Sequence, residues 1–380
     1  MSDIKAIYIH VPFCRRRCKY CSFISYQSRE GDIPAYIDAV KKELSLRSED
    51  TVINTVYFGG GTPSLLTSEQ ISSLMSAIKN NFHLANDSEI TMESNPGTID
   101  FKYLCGVKMA GINRLSIGVQ SFNDEELSML GRIHTVKDAL VAIKYAREAA
   151  LNNLNIDLIY GLPGQTIDDW KDNLVKAIEV NPDHISLYAL TLEPEEPLFK
   201  DIESGILPEI SADTAAGQYE LAEKLLEKHG YIHYEISNWA KPGFECLHNL
   251  VYWQGGEYLG IGVAAHSYTE KRRTANTADL DKYMSYLSHN SLPPQDNDEV
   301  IDPELELAES IILGLRMCNG IGLQDFQKRF NIDIMERYNR RIDELLDAGL
   351  IEKNKSVIKL TQSGRLLGNE VFWRFLPDKV

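Results

Sequence analysis

Short apolar runs alternate with amphipathic stretches along the first half of the chain. Runs rich in β-branched and apolar residues predict strands at residues 6–10, 52–58, 89–93, 114–118, 155–159 and 184–188. Helical patterns of apolar residues separate these runs. Because a strand followed by a helix favours parallel pairing through right-handed crossovers, the pattern predicts an α/β protein containing a partial (β/α)6 barrel over residues 1–205.

The second half of the chain has a different pattern. After about residue 205 the regular alternation fades, and residues 206–290 include a stretch rich in Gly, aromatic and His residues. We expect this segment to cover the mouth of the barrel. Residues 291–302, which contain Pro293, Pro294 and Asp296, are polar and rich in turn formers, so they predict a linker.

Residues 303–380 predict a smaller C-terminal domain. Apolar periodicity indicates helices at 304–317, 323–330 and 333–348, followed by a hairpin that runs through 358–360. This order of helices and hairpin is typical of a winged-helix-like module. Such modules often contact nucleic acid, but the acid-rich stretch 337–347 offers no basic recognition face, so a protein-contact or lid role is favoured.

Charge and hydropathy narrow the classes of function. The formal net charge of -16 disfavours a phosphate-binding surface, so no nucleic-acid partner is expected. No apolar stretch is long enough for a membrane span, and the N-terminus lacks the pattern of a secretory leader. We therefore expect a cytoplasmic protein, with peripheral membrane docking still open.

Three of the six cysteines lie close together directly after the first predicted strand. A [4Fe-4S] cluster is usually held by four thiolates, so Cys14, Cys18 and Cys21 can bind three irons from one loop and leave the fourth iron open. Neighbouring basic residues are expected to lower the thiol pKa values. The alternatives are a zinc site or free reduced thiols, but zinc usually takes a fourth Cys or His in a paired spacing.

The spacing Cys-x3-Cys-x2-Cys, with Tyr20 before the last cysteine, resembles the signature of the radical SAM superfamily. That resemblance implies a [4Fe-4S] cluster whose open iron binds S-adenosylmethionine (SAM). Gly59, Gly60 and Gly61 follow the second predicted strand, where glycines let the backbone approach a ligand closely. A phosphate loop is the rival interpretation, but the Lys-Ser/Thr pair that completes one is missing.

Four further polar residues lie at or beyond predicted strand ends: Glu93, Gln120, Arg132 and Asp157. Burying a charge there is costly unless it is paired, so the pattern indicates ligand contacts or ion pairs, the alternative being satisfied polar groups of the barrel interior. The stretch 8–189 resembles the oxygen-independent coproporphyrinogen III oxidase family. By that resemblance Tyr8, Gly60 and Glu93 contact a first SAM, and a second SAM contacts Tyr20, Gly61, Thr62, Gln120, Arg132, Asp157 and Ala189.

Three departures separate the chain from that oxidase family. Phe23 stands where the oxidase has a further cysteine, only thirteen residues precede Cys14, and the chain carries the hexad that begins at His248 and ends with Tyr252 and Trp253. The hexad resembles the His-Asn-x-x-Tyr-Trp motif of the HemW heme chaperones. A His can bind heme iron, and Tyr and Trp can stack on a porphyrin. The alternative is a turn that enters a packed element.

The HemW resemblance implies a heme chaperone that binds heme and delivers it to respiratory hemoproteins, with a heme donor as a further partner. His266 and Cys246 are secondary candidates for the iron ligand. The alternative function is an oxygen-independent coproporphyrinogen III oxidase that makes protoporphyrinogen IX by radical decarboxylation. RNA modification is a third reading, which the acidic charge disfavours. No catalytic residue is assigned from the sequence.

Overall fold

The computed structural model describes residues 4–377 of the chain. The strands are β1 Ala6–Val11, β2 Phe13–Cys14, β3 Tyr26–Gln27, β4 Val52–Gly60, β5 His83–Ser94, β6 Arg114–Gln120, β7 Asn153–Tyr160, β8 His184–Ala189, β9 Ile232–Glu235, β10 Asn238–Ala240, β11 Tyr258–Ile261, β12 His266–Thr269, β13 Arg272–Asn276, β14 Gln295–Val300, β15 Ile321–Gly322, β16 Ile351–Lys353 and β17 Val357–Leu360. The helices are α1 Ile33–Leu46, α2 Ser68–Asn81, α3 Phe101–Ala110, α4 Asp124–Met129, α5 Val136–Glu148, α6 Ile167–Glu179, α7 Pro197–Glu203, α8 Ala212–Lys228, α9 Leu247–Trp253, α10 Leu280–Ser288, α11 Pro303–Arg316, α12 Leu323–Phe330, α13 Ile334–Arg337, α14 Asn339–Asp347, α15 Gln362–Leu366 and α16 Gly368–Phe372. Within these residues, no helix combines the length and the hydropathy needed to pass through a bilayer.

All six predicted strands are confirmed, and they lie side by side in chain order as β1, β4, β5, β6, β7 and β8. Each pairs with the next in parallel; β1 and β4, for example, stay in register from Ala6 opposite Thr55 to Val11 opposite Gly60. The sheet has two free ends, at β14 and β9, so the barrel is open. The predicted partial (β/α)6 barrel is therefore present.

The central strands are buried because helices cover them. Every residue of β6 except the last is buried, which is typical of a parallel strand in the middle of a sheet. Three of the covering helices begin with a capping box, in which Thr67, Thr135 and Thr166 accept a hydrogen bond from the backbone three residues on. These caps satisfy backbone N–H groups in the first turn and so fix where each helix starts.

Residues 206–290 extend the sheet at both edges. Strand β10 pairs antiparallel with β8, and β9 follows it at that edge. At the other edge β11 pairs in parallel with β1, and β12 and β13 continue the sheet antiparallel. The segment therefore completes the sheet around the barrel strands in addition to contributing α9.

The stretch 291–302 differs from the predicted linker. It contains β14, which pairs antiparallel with β13 from Val300 opposite Arg272 to Gln295 opposite Asn276. Almost all of its side chains are exposed, because it is an edge strand. An edge strand with two polar faces lacks the apolar alternation that marks a strand in sequence, which is why its composition suggested a linker.

The C-terminal domain has a hydrophobic core separate from that of the sheet, built on residues such as Ile311, Phe326 and Ile342. Its hairpin is β16 and β17, with β15 on the other side of β17. One prediction needs correction: the single helix expected at 333–348 is divided into α13 and α14 at Tyr338, where φ is -119°. Tyr338 is buried against Phe375, so tertiary packing decides the break.

Candidate functional site

The three clustered cysteines lie on the loop that follows β1. Cys14 ends β2, which pairs in parallel with β3, so the loop is closed at its base. The loop is also held at Lys19, whose backbone N–H donates to the carbonyl of Leu130 at 3.0 Å and whose Nζ pairs with Asp201 at 2.8 Å. Cys14 is buried, and Cys18 and Cys21 are half-buried. This arrangement presents three thiols from one fixed loop.

The thiols face a cavity of about 390 Å³ at the carboxyl ends of the barrel strands, which we call the cluster cavity. It is lined by Cys14, Arg16, Arg17, Cys18, Tyr20, Cys21, Ser22, Phe23, Tyr57, Gly60, Gly61, Thr62, Pro63, Glu93, Ser94, Asn95, Gly118, Gln120, Arg132, Asp157, Ile159, Tyr188, Ala189, Leu190 and Thr191. The predicted cluster ligands and nine of the ten predicted SAM contacts therefore converge on one cavity.

Tyr8 is the exception among the predicted SAM contacts. Its hydroxyl lies 3.1 Å from Nδ1 of His10, and its ring lies next to Tyr57 with the ring centroids 6.2 Å apart. Its side chain lines a neighbouring cavity instead of the cluster cavity. Tyr8 and Tyr57 are register partners on adjacent parallel strands, so both side chains point to the same face of the sheet, where the two cavities adjoin.

The glycine run lies tightly against the cysteine loop. Gly60 has a φ of +114°, and a Cβ there would come within 2.6 Å of the His10 ring. A Cβ on Gly61 would come within 2.7 Å of the carbonyl oxygen of Phe13 and 3.0 Å of the Cys14 sulfur. Any other residue would push the end of β4 away from the loop, so the glycines are needed for this close approach.

Two carboxyl groups form the floor of the cluster cavity. Glu93 accepts hydrogen bonds from the Tyr57 hydroxyl at 2.9 Å and from the backbone N–H of Gly60 at 3.2 Å. Burial and the nearby charge of Asp157 raise the pKa of Glu93 to about 7. Asp157 accepts from Ser116 Oγ and Asn155 Nδ2, both at 2.8 Å, and burial raises its pKa as well.

A hydrogen-bonded chain joins two of the cysteines. Arg132 donates to Cys18 Sγ at 3.3 Å, to the carbonyl of Gly118 at 2.9 Å and to Asn95 Oδ1. Asn95 donates to Thr62 Oγ1 at 2.9 Å, and that oxygen lies 3.5 Å from Cys14 Sγ. The sequence analysis missed Asn95, although its place directly after β5 is the same signal that selected Glu93.

The remaining predicted contacts also line the cluster cavity. Gln120 ends β6 with a φ of +67°, a conformation that costs a non-glycine residue energy and is often found at functional sites. Tyr20 lies beside Arg132, and burial raises the pKa of its hydroxyl. Ala189 ends β8 and is exposed at the cavity.

The thiol of Cys21 differs from expectation. Its pKa is raised by burial, which outweighs the lowering by Arg17, whereas lowered thiol pKa values were expected from the neighbouring bases.

A second cavity, of about 580 Å³, adjoins the first, and we call it the interdomain cavity. It lies between the sheet and the C-terminal domain and is lined by Tyr8, His10, Ser22, Phe23, Ile24, Tyr252, Trp253, Gly255, Gly256, Tyr258, Ala264, His266, Tyr268, Arg273, Glu306, Glu309, Ser310, Leu313 and Arg329. Ser22 and Phe23 line both cavities, so the cysteine loop forms a shared wall. The C-terminal contributors carried no local sequence signal and were not predicted.

Comparisons with known proteins decide the family. The radical SAM superfamily model matches residues 8–176, and the HemN C-terminal domain model matches residues 301–367. Heme chaperone HemW of Bacillus subtilis is 35% identical over 99% of this chain and 100% of its own length, and HemW of Escherichia coli K12 is 34% identical over 98% of both chains. The chain belongs to the HemW heme chaperone family. The predicted family is thereby confirmed.

The HemW fold is shared with a related enzyme. Coproporphyrinogen III oxidase HemN from Escherichia coli, a radical SAM enzyme, is 25% identical and superposes with a TM-score of 0.86 over 98% of this chain and 90% of that chain. Radical SAM membership implies a [4Fe-4S] cluster and SAM as cofactors, as predicted.

The cysteine loop fits such a cluster. Among residues 4–377, no three His, Cys, Asp or Glu side chains converge to hold a single metal ion. A cubane does not require that convergence, because each thiolate binds a different iron. Three features match a bulky anionic cluster with an adjoining ligand. Three thiols lie on one loop, and the glycine cradle leaves no room for Cβ atoms. The buried Arg132 Nε has no hydrogen-bond partner among the described atoms.

In the HemW-type hexad, the surroundings of His248 differ from those expected of a heme ligand. His248 lies on α9 and is 1% exposed. Its Nδ1 is 2.8 Å from Thr55 Oγ1, and its Nε2 is 2.7 Å from the Tyr252 hydroxyl, so both ring nitrogens are engaged. Burial lowers the pKa of His248 to about 3. His248 therefore holds α9 to the sheet and is not presented to iron, whereas Tyr252 and Trp253 line the interdomain cavity.

The secondary candidate Cys246 is also enclosed. Its side chain is fully buried, and its sulfur lies 3.6 Å from Glu89 Oε1. Burial raises the pKa of this thiol to about 12, so the thiolate form that binds iron is disfavoured. His266, by contrast, is exposed on the wall of the interdomain cavity.

Proposed function

We propose that the chain binds heme and passes it to hemoprotein acceptors, with the radical SAM site supporting that role. The observation that carries the proposal is the shared wall between the two cavities, because Phe23 on the cysteine loop lines both. Only the cysteine loop would separate a ligand in one cavity from a ligand in the other. The relatives named heme chaperone HemW match along almost the whole chain, which supports the same role. We propose respiratory hemoproteins as acceptors and a separate protein as heme donor.

The proposed cofactor contacts follow the cluster cavity. Cys14, Cys18 and Cys21 would hold three irons, and the fourth would be left for SAM. When bound, the cluster and SAM supply radical chemistry. Around them the chain offers backbone amides, two carboxyl groups and a guanidinium as SAM contacts. These proposed contacts are Tyr20, Gly60, Gly61, Thr62, Glu93, Gln120, Arg132, Asp157 and Ala189, with Tyr8 behind the glycine run.

The rival function is decarboxylation of coproporphyrinogen III. It is favoured by the likeness to the HemN structure, which covers the C-terminal domain as well as the barrel. Phe23 counts against it, because a large and 65% exposed side chain occupies the place of the further cysteine of that enzyme family. Among the described residues, the structure does not single out a catalytic side chain for either function, and we assign none.

We also propose how the chain is divided and where it works. Residues 1–205 would form the radical SAM core, 206–290 the segment that extends the sheet, and 303–380 the C-terminal domain, with 291–302 supplying the edge strand between them. The HemN C-terminal domain match from residue 301 supports the last boundary. We place the protein in the cytoplasm, where neighbouring cysteine thiols stay reduced, with peripheral docking at the membrane near respiratory acceptors.

Anaerobic reconstitution with iron and sulfide, followed by two parallel assays, tests the proposal. We expect a [4Fe-4S] absorbance that changes on addition of SAM, about one heme bound per chain, and heme transfer to an apo-hemoprotein. A variant with Cys14→Ser, Cys18→Ser and Cys21→Ser should lose the cluster absorbance, while Cys105→Ser, a matched change of a cysteine outside both cavities, should keep it. Formation of protoporphyrinogen IX from coproporphyrinogen III, without heme transfer, would establish the rival function.

A further inference from the structure

His266 differs from the other histidines near the interdomain cavity. It is exposed at the first position of β12, and within residues 4–377 its ring has no hydrogen-bond partner. His10 also lines the cavity, but its Nδ1 is 3.1 Å from the Tyr8 hydroxyl and its Nε2 is 3.0 Å from the carbonyl of Ile24. His248 is buried with both nitrogens engaged. An imidazole free to bind iron is therefore found at His266.

The backbone before His266 is held in an unusual conformation. Gly262 has a φ of +110°, and a Cβ there would come within 2.5 Å of the Tyr36 hydroxyl. Ala264, which lines the cavity, has a φ of +57°, a conformation that costs a residue with a side chain energy. Strain of this kind persists where the surroundings impose it, often beside ligands. The turn fixes the start of β12 and so fixes the direction from which His266 enters the cavity.

Flat aromatic surfaces surround the same space. Trp253 and Tyr268 are half-buried in the wall, and Phe23 is 65% exposed on the cysteine loop. Aromatic rings in the wall of a cavity offer flat, largely apolar surface to a ligand. A volume of about 580 Å³ also lies in the range of about 300–1,000 Å³ that is usual for small-molecule and cofactor sites. A flat, largely apolar ligand fits these walls.

The charges around the cavity select a ligand with carboxylates. Arg329 is exposed, and its guanidinium donates to the backbone carbonyls of Gln254 at 3.0 Å and Gly255 at 3.5 Å, with no carboxylate partner among the described residues. The other guanidinium, that of Arg273, is already bound to Glu309 at 2.7 Å. Glu306 is likewise neutralised, by Lys271 at 2.9 Å. Arg329 is thus the cation that remains available for a carboxylate of the ligand.

We propose that the interdomain cavity is the heme site, with His266 as the iron ligand and Arg329 as the contact for a heme propionate. This assignment rests on the proposed heme chaperone function and names its site. It gives the C-terminal domain a direct part in binding, because Arg329 lies on α12. It also gives His248 a positioning role, since that residue holds the Tyr252 hydroxyl and with it the wall of the cavity.

Heme titration of the cluster-loaded protein tests the site. His266→Ala should weaken binding of ferric heme at least about tenfold and shift the Soret maximum, and added imidazole should restore the wild-type spectrum. His289→Ala removes an exposed histidine that does not line the cavity and should leave affinity and spectrum unchanged. His248→Ala should lower the melting temperature but keep the histidine-ligated spectrum.

Arg329 is tested by comparing heme with its dimethyl ester, which lacks the carboxylates. Arg329→Gln should weaken heme binding about tenfold and leave binding of the ester unchanged. If wild-type protein binds heme and His266→Ala keeps both its affinity and its spectrum, the assigned site is wrong while the proposed function stands. If cluster-loaded wild-type protein binds no heme at all, the proposed function itself fails.

Discussion

At the scale of the residue, burial changes the protonation of Glu93, one of the proposed SAM contacts. Its carboxyl group lies in the cluster cavity with hydrogen bonds from Tyr57 and Gly60, yet burial and Asp157 raise its pKa to about 7 from an ordinary value of 4.5. The native state therefore holds a proton on Glu93 at pH values where the unfolded chain has lost it. By linkage, this group makes the protein less stable as the pH rises from about 4.5 to about 7.

Glu93→Gln removes that titration. We expect the melting temperature of the variant, relative to wild type, to increase as the pH is raised from about 5 to about 8, because the wild type must ionise a buried carboxyl group and the variant does not. The measurement is thermal unfolding of anaerobic, cluster-loaded protein across this pH range. Glu203→Gln, at an exposed position, is the matched control. A difference from wild type that is independent of pH would contradict the raised pKa of Glu93.

At the scale of the element, α9 depends on a residue from another element. Cys246 gives no side-chain cap to this seven-residue helix. Instead Glu89 on β5 accepts the backbone N–H groups of Leu247 and His248, both at 3.0 Å. A carboxylate at this end satisfies unpaired donors and opposes the positive end of the helix. Glu89 is itself buried and pairs with Arg114 at 3.9 Å.

Glu89→Ala should therefore loosen α9 and destabilise the fold. Removing one partner of a buried ion pair costs about 3–5 kcal/mol, because the remaining charge has no compensation. We expect faster hydrogen–deuterium exchange in the peptide that contains α9 and a lower melting temperature. Glu203→Ala, an exposed change, should alter neither. Unchanged exchange in α9 would mean that other contacts hold the helix in place.

At the scale of the whole molecule, polar contacts help to attach the C-terminal domain to the rest of the described structure. Glu223 on α8 pairs with Arg365 on α15 at 2.7 Å, with both side chains largely buried, and also accepts from Gln362 at 2.8 Å. Arg316 stacks over the Trp253 ring at 4.5 Å, which joins α11 to α9. Because the interdomain cavity lies at the same junction, these contacts position both of its walls.

A double-mutant cycle of Glu223→Ala and Arg365→Ala measures this attachment. We expect a coupling free energy of about 0.5–3 kcal/mol at neutral pH. Burial raises the pKa of Glu223, but the hydrogen bond from His233 and the charge of Arg365 outweigh it, so the net pKa is lowered. The coupling is therefore full above the ordinary glutamate pKa and is lost as the pH falls below it.

The exposed pair Arg340 and Glu344 lies within a single helix and is the control for that cycle. Its coupling should stay between about 0 and 1 kcal/mol, as is usual for surface ion pairs. Equal coupling in the two cycles would show that the contact between Glu223 and Arg365 adds no more than an exposed pair.

Local sequence determined the parts of this protein whose signals are local. The buried parallel strands appear as apolar runs, and the cysteines lie four and three residues apart, so the barrel and the placement of three thiols on one loop were predictable. The positions at strand ends were predictable as well, because the carboxyl ends of parallel strands meet at one edge. Nine of the ten predicted SAM contacts line the cluster cavity for that reason.

Tertiary structure alone decided the features that depend on distant partners. His248 looked like an iron ligand in its motif, but Thr55 on β4 and the Tyr252 hydroxyl take up its nitrogens, and no local pattern reports that pairing. The edge strand β14 resembled a linker because only its pairing with β13 makes it a strand. His266 and Arg329 come together because two domains pack against each other, and the free energy of that packing comes from contacts between residues far apart in the chain.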